Sequence, residues 1–215
     1  TGIGIHQQIK SMLSILIPSI PERSLKLNKL LLHLQKQIDY CDNIHSSLGK
    51  IEVMVDDSKR FLQGGLSIGD KRNSLLNRSS GKYICFLDDD DWTSPDYVET
   101  LLRLCNQDKD VCTFKSLFKC DDYWTVINMQ LGNSNDGATP EREVKRNAWH
   151  VCPIRRDIAI EYEFNGLNHN EDWDWMGRVL KGIKTEAHSE RILHNYNHYK
   201  LDSEADKILN ENTNN

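Results

Sequence analysis

The chain opens with short apolar runs separated by stretches of helical spacing. Leu13-Ser-Ile-Leu-Ile17 reads as a buried strand stopped by Pro18. Leu27, Leu30, Leu31, Leu34 and Ile38 then fall on one face of a helix, and Ile51–Val55 is a second apolar strand. Ser67-Ile-Gly-Asp70 has the form of a capping box, predicting a helix from there to about Ser80, where Gly81 ends it. Lys82–Leu87 is a third strand, and it runs directly into Asp88-Asp-Asp-Asp91-Trp92. Ser94-Pro95 predicts a further helix with proline at its first position, turning Val98, Leu101, Leu102 and Cys105 inward. Alternating strands and helices of this kind predict a parallel sheet with right-handed crossovers. The ligand crevice of such a sheet lies at the carboxyl ends of its strands.

The second half has a mixed pattern. Val111–Lys119 and Tyr123–Met129 predict a hairpin, and the polar stretch Leu131–Glu143 predicts a mobile loop acting as a lid or acceptor loop. Trp149–Ile154 is expected as a short strand, Glu171–Leu180 as a helix, Ile192–Tyr199 as a strand and Ser203–Asn210 as a terminal helix. Residues 1–11 are expected to be an N-terminal extension or cloning remnant, residues 12–210 one domain, and residues 211–215 a frayed tail.

Composition narrows the class. With 215 residues, 38% apolar and 27% charged, the chain is neither low-complexity nor disordered, and it is long enough for one large core. No apolar run approaches the roughly 18 residues needed to span a bilayer. The six cysteines form no C-x-x-C pair and mostly sit in apolar runs, so they read as buried thiols of a cytoplasmic, reducing compartment. The net charge of -5 argues against a general nucleic-acid-binding surface.

That charge is unevenly placed. Asp56-Asp57 and Asp88–Asp91 stand at the carboxyl ends of predicted strands, where a ligand crevice is expected. Four consecutive carboxylates in a partly dry crevice repel one another, and a divalent cation would resolve the conflict. Hard Mg²⁺ or Mn²⁺ takes carboxylate oxygens together with substrate phosphates.

These residues, taken in order, resemble the family-2 glycosyltransferases with the GT-A fold. Leu87-Asp-Asp-Asp-Asp-Trp92 is similar to the D-x-D-D segment of that family, and Ile15-Leu-Ile-Pro18-Ser19 to its first strand and nucleotide loop. Val55-Asp-Asp-Ser58 resembles the D-D-x-S pattern, without the usual intervening small residue. Gly69-Asp-Lys-Arg72-Asn73 resembles the A-R-N turn, Asn170-Glu-Asp172-Trp-Asp174 the E-D-W-D helix start, and Tyr196-Asn-His198 with Ser203 the late Y-x-x-H…S segment.

The resemblance implies an α/β fold: a Rossmann-like, mixed, mostly parallel sheet flanked by helices. It implies an inverting enzyme that moves a sugar from a nucleoside-diphosphate sugar, UDP being the family's usual nucleotide, to an acceptor hydroxyl. Pro18, Ser19, Arg23, Asp56, Arg72, Asp88 and Asp89 would bind the nucleotide sugar. Asp90 and His198 would hold Mn²⁺ or Mg²⁺, with His194 on the same strand face as His198. Asp172 would be the general base, with Glu171 beside it. Trp92, His150 and Trp173 are candidate acceptor contacts, as is Trp149. The acceptor class, whether glycan, lipid-linked sugar, protein or small molecule, is left open, as is whether the chain is one domain of a larger protein.

Two alternatives stand beside this reading. A sugar-phosphate nucleotidyltransferase would also combine an α/β sheet with a nucleotide and Mg²⁺, but it usually has a Gly-rich loop after the first strand, and here Pro18-Ser-Ile-Pro21 stands there. A catalytically inactive sugar-nucleotide-binding domain would not need the acidic and histidine set. Nine of the 32 acidic residues lie in the proposed motifs, and the remaining 23 are fewer than the 27 Lys and Arg. Acidity is therefore concentrated at the proposed site. The charge argument against nucleic acid weakens accordingly, and what still counts against it is the lack of a basic cluster interleaved with aromatics.

Overall fold

The computed structural model describes residues 11–59, 65–120, 123–140, 142–166 and 168–198. The expected helix Ser203–Asn210 and the terminal tail lie outside these residues. So do residues 1–10, whereas Ser11 already begins the first strand.

The first half follows the alternating pattern. β1 (Ser11–Pro18) lies between β2 (Ile51–Asp56) and β3 (Gly81–Phe86), parallel to both. β1 is apolar on both faces because helices cover both sides of the sheet. Gly81 is required where β3 meets β1: a Cβ there would lie 2.6 Å from the Ser14 backbone nitrogen. α1 (Ser24–Ile44) buries Leu27, Leu30, Leu34 and Ile38 of the expected stripe, and Leu31 is half-buried at its edge. α2 (Ile68–Arg78) starts with the predicted capping box, the Ser67 hydroxyl accepting from the Asp70 N–H and the Asp70 side chain accepting from the Ser67 N–H.

The next helix departs from expectation. α3 spans Tyr97–Cys105, so Pro95 stands outside it and in front of the N-cap Asp96 rather than at the first helical position. No side chain of the local sequence caps this end. Gln37 of α1 does so instead: its Oε1 accepts from the Val98 N–H at 3.1 Å, and its Nε2 donates to Ser94 O at 3.1 Å.

The second half is built from distant pairings. β5 (Val111–Cys120) and β6 (Tyr123–Met129) form the predicted antiparallel pair. β7 (Glu143–Arg146) then pairs parallel to β6, which requires the long connection that precedes it. Trp149–Pro153 is a turn and not a strand, because the Cys152 N–H bonds back to Trp149 O; β8 is only Ile154–Arg155. The short helix α4 (Arg156–Ala159) and α5 (Glu171–Val179) follow. β9 is longer than expected, Glu186–His198, and runs parallel to β5 with a bulge near Lys115. It also pairs with β4 (Trp92–Thr93). The sheet order is β2-β1-β3-β8-β5-β6-β7, and parallel ladders account for most of the paired positions. All six cysteines are free thiols, five of them buried. Among the described residues no helix is long and apolar enough to cross a membrane.

Candidate active site

The turn Asp88–Asp91 leaves β3 at its carboxyl end, and each of its carboxylates has a cationic or histidine partner within the chain. Asp88 Oδ1 accepts from Arg72 Nη2 at 3.0 Å. Asp89 accepts from the Ser19 hydroxyl at 2.5 Å and pairs with Arg23 Nη1 at 2.8 Å. Asp90 pairs with the other guanidinium nitrogen of Arg23. Asp91 is buried and lies 2.8 Å from His194 Nε2, while the Nδ1 of that ring meets the Ser116 hydroxyl at 2.8 Å. Arg23, Arg72 and His194 thus relieve the repulsion that pointed to a divalent cation, and charge balance alone no longer demands one.

On one side of this turn lies a pocket lined by Pro18, Ser19, Ile20, Arg23, Leu66, Ile68, Lys71 and Asn168. It unites the predicted Pro18, Ser19 and Arg23. Lys71 was missed, although it stands in the quoted Gly69–Asn73 stretch. One helical step of about 100° separates it from Arg72, so the two side chains leave α2 in different directions. The Lys71 ammonium donates to Ser19 O at 2.5 Å and to Ser58 O. Arg72, expected at the nucleotide, is buried to 2% exposure against the edge-to-face rings of Phe86 and Phe164 and bonds Asp88 and Glu171. Its position corrects that expectation: both carboxylates and two aromatic faces hold the guanidinium inside the protein. Asp56, at the end of β2, accepts from the Ser58 N–H and hydroxyl and does not line this pocket.

On the other side lies a cavity of about 250 Å³. Asp88, His150, Trp149, Asp172 and Trp173 line it together with Ser116, Asn135, Arg146, Asn147, His194 and Tyr196. The Phe86 N–H bonds His150 O at 2.9 Å, which fixes the Trp149–Pro153 turn against β3 and places the imidazole beside the acidic turn. α5 begins with Asn170 in the left-handed conformation (φ 61°), followed by Glu171 and Asp172 in its first turn, where the helix dipole favours carboxylates. Asp172 Oδ2 lies 3.3 Å from His150 Nδ1, and its Oδ1 accepts from the Trp173 N–H at 2.8 Å. The Trp149 and Trp173 rings are 5.1 Å apart, and Trp173 is 54% exposed.

Two predicted contacts fall elsewhere. Trp92 stacks on His33 of α1 at 4.2 Å and does not line the cavity, because β4 pairs with β9 and turns the ring outward to α1. The backbone of His198 pairs with Cys120, well beyond the Ser116–His194 pairing, and its side chain lies outside the described residues. Among the described side chains of this strand, His194 reaches the acidic turn. Among the described residues, no group of three or more His, Cys, Asp or Glu side chains is arranged to hold a metal ion. Arg146 and Asn147 carried no sequence signal, and Asn135 was legible only as part of the polar Leu131–Glu143 stretch.

The charges are tuned by these contacts. Burial pushes the Asp172 carboxyl up, but His150, Arg72 and the Trp173 N–H outweigh it and hold the group well below the usual carboxylate range. Burial also opposes ionisation of Asp88, and Arg72 and His150 reverse it, so this group too is lowered. In Glu171 burial prevails over Arg72, and the carboxyl is raised. Burial carries Asp89 up to about 6 despite Arg23 and Ser19. Asp172 is therefore the more readily ionised carboxylate of the Glu171–Asp172 pair, and an ionised carboxylate is what a proton acceptor needs.

Comparison with known proteins places the chain. The family model described as glycosyl transferase family 2 matches residues 39–162, which include the acidic turn but not α5 or β9. "Putative glycosyltransferase EpsH" of Bacillus subtilis (strain 168) is 34% identical over 150 residues, covering 60% of this chain and 43% of EpsH. Glycosyltransferase GlyA of Streptococcus pneumoniae serotype 4 is 56% identical over a 32-residue stretch, 15% of this chain and 5% of GlyA. The structure of S. aureus TarS 1-349 in complex with UDP-GlcNAc superimposes with a TM-score of 0.59 at 12% identity, covering 89% of this chain and 60% of that one. Its complex with UDP gives 0.58 at 14% identity, covering 87% and 60%. The chain spans less than two thirds of the length of each of these relatives. The likeness to TarS is one of fold, a mixed, mostly parallel sheet flanked by helices as in GT-A glycosyltransferases. With more than half of its length matched by the family model, the chain belongs to glycosyl transferase family 2.

Proposed function

We propose that the chain is the catalytic domain of an inverting glycosyltransferase that moves a sugar from a UDP-sugar to an acceptor hydroxyl with the help of Mn²⁺ or Mg²⁺. The observation that carries this reading is the placement of the Asp88–Asp91 turn. It separates the Pro18–Ser19–Arg23 pocket from a cavity in which Asp172, an ionised carboxylate, stands exposed to an incoming hydroxyl. Similarity to TarS complexes with UDP and UDP-GlcNAc supports the choice of nucleotide. Family membership decides against the nucleotidyltransferase alternative.

In this reading the nucleotide lies across Pro18 and Ser19, and Arg23 and Lys71 place positive charge beside its diphosphate. The acceptor oxygen attacks the anomeric carbon from the cavity side and forms the new C–O bond. The old C–O bond breaks, its electron pair leaves with the diphosphate, and the acceptor proton passes to an Asp172 oxygen. Arg72 and His150 keep Asp172 ionised before the reaction. Glu171, bonded to Arg72, steadies that arrangement. The donor set fits a hard cation: Asp90 offers a partly exposed carboxylate, and ions of this class complete their shells with phosphate and water. Bound there, with His198 as the proposed second ligand, the ion would offset charge on the departing diphosphate.

Calorimetry of UDP binding with and without Mn²⁺ tests the reading. The wild-type chain should bind UDP in a metal-dependent manner, and Asp90→Ala should lose that dependence. Unchanged Mn²⁺-dependent affinity in the variant would remove Asp90 from the metal site.

A further inference from the structure

The cavity on the Asp172 side has an acidic end and a donor-rich end. At the acidic end, Asp88 pairs with Arg72, and Asp172 lies at ion-pair distance from His150. At the other end stand Arg146, at the close of β7, with Asn135 and Asn147. Arg146 Nε donates to Asp136 O at 3.0 Å, and among the described residues its guanidinium has no carboxylate partner. Both asparagines have their amide oxygens occupied by backbone donors. Asn147 Oδ1 accepts from the Ala148 N–H at 2.8 Å and the Gly132 N–H at 3.3 Å; Asn135 Oδ1 accepts from the Asn147 N–H at 3.0 Å. These bonds fix which way each amide faces. The Nδ2 groups are left as the donors, and among the described residues they have no acceptor.

We infer that this end of the cavity binds an oxyanion carried by the acceptor, so that the acceptor is an acidic sugar: one bearing a carboxylate or a phosphate. The inference rests on the Asp172 side being the acceptor side, as proposed above. An Arg fork flanked by two amide N–H₂ groups supplies several donors and a full positive charge, the arrangement that suits a carboxylate or phosphate. A neutral sugar would leave the guanidinium charge uncompensated. The Trp149–Trp173 pair in the same cavity supplies flat apolar faces for the ring that carries the charge. A cavity of about 250 Å³ accommodates a single sugar ring.

Ligand-observed and ¹⁵N-detected NMR test this, with UDP and diamagnetic Mg²⁺ present at saturation to fill any nucleotide phosphate site. The probes are methyl β-glucuronide, glucose 6-phosphate and neutral methyl β-glucoside. A charged probe should bind at least about tenfold more tightly than the glucoside, the ratio expected from one charge-assisted contact. It should shift the Asn135 and Asn147 side-chain amides and the Trp149 and Trp173 indole signals. Preference for the glucuronide assigns a carboxylate, and preference for the sugar phosphate assigns a phosphate. Arg146→Gln should abolish the preference, and Arg146→Lys should retain part of it, which separates charge from loss of fold. Added salt should weaken the charged probes selectively. Equal affinity for charged and neutral probes, or a preference that survives Arg146→Gln, would overturn the inference. UDP titration of the wild-type chain reports separately on the donor reading: absent UDP binding would count against that reading whichever probe is preferred.

Discussion

The two sides of the acidic turn differ in how they dispose of charge. Toward β1 and α2 the cations are committed within the protein: Arg23 to Asp89 and Asp90, Lys71 to the carbonyls of Ser19 and Ser58, Arg72 to Asp88 and Glu171. Toward β7 and β9, among the described residues, the Arg146 guanidinium has no carboxylate partner and the Asn135 and Asn147 Nδ2 groups have no acceptor, and Trp173 and Tyr196 are exposed. One side is organised before any ligand arrives. In the reading inferred above, the other gains its complement from the ligand. Preorganised charge suits the side where a leaving group must be stabilised, and open donors suit the side that selects a partner.

The largest effect that bears on this contrast is chemical. Asp172→Asn should lower turnover by about 10²–10⁴, the range for removal of a general base, while UDP affinity by calorimetry stays close to wild type. Turnover near wild type would move the base to another residue and erase the assigned division between the two sides. The next effect is one of stability. Arg72→Met leaves the buried Glu171 and the half-buried Asp88 without their shared cation, which should cost about 3–5 kcal/mol in urea unfolding. A loss of only a few tenths would mean that Arg72 is no more committed than Arg146.

A smaller effect concerns pH. The folded-state pKa of Asp89 is raised to about 6 by burial, above its ordinary 3.8. The native state therefore holds this proton more tightly than the unfolded chain. The stability contributed is complete below about 3.8 and is lost as pH rises toward 6. Urea midpoints of the wild-type chain and Asp89→Asn, followed over that window, should diverge with this sign. Parallel curves would show that Arg23 and Ser19 cancel the cost of burial.

The same contrast explains what could be read in advance. On the Pro18–Arg23 side, strands, helices and acidic ends alternate over short distances, so period and caps such as Ser67/Asp70 were legible, and Pro18, Ser19 and Arg23 line one pocket. Where that side misled, helical geometry was the reason: Lys71 and Arg72 are adjacent in sequence but take opposite roles. The cavity beside Asp172 depends on β9 returning to lie parallel to β5, 75 to 78 positions away. Local pattern carries no record of such a pairing. Hence Arg146 was invisible, Trp92 was placed on the wrong side, and Trp149–Pro153 was taken for a strand when its turn is closed by a backbone bond. Asp172, Trp173 and His150, singled out by residue type, line one cavity.

The Gln37 side chain that starts α3 has a consequence for cooperativity. Its bond to the Val98 N–H joins positions 61 apart in sequence, so the first turn of α3 is completed only when α1 is already seated. The two helices cannot open independently at that end, and local fraying there is coupled to undocking of a 21-residue helix. In native-state hydrogen exchange the Val98 amide should therefore exchange with the slow set of the core strands, unlike an ordinary helix end. Gln37→Ala should release it into the fast set and leave β1–β3 protected. Fast exchange of Val98 in the wild-type chain would show that the two helices open separately.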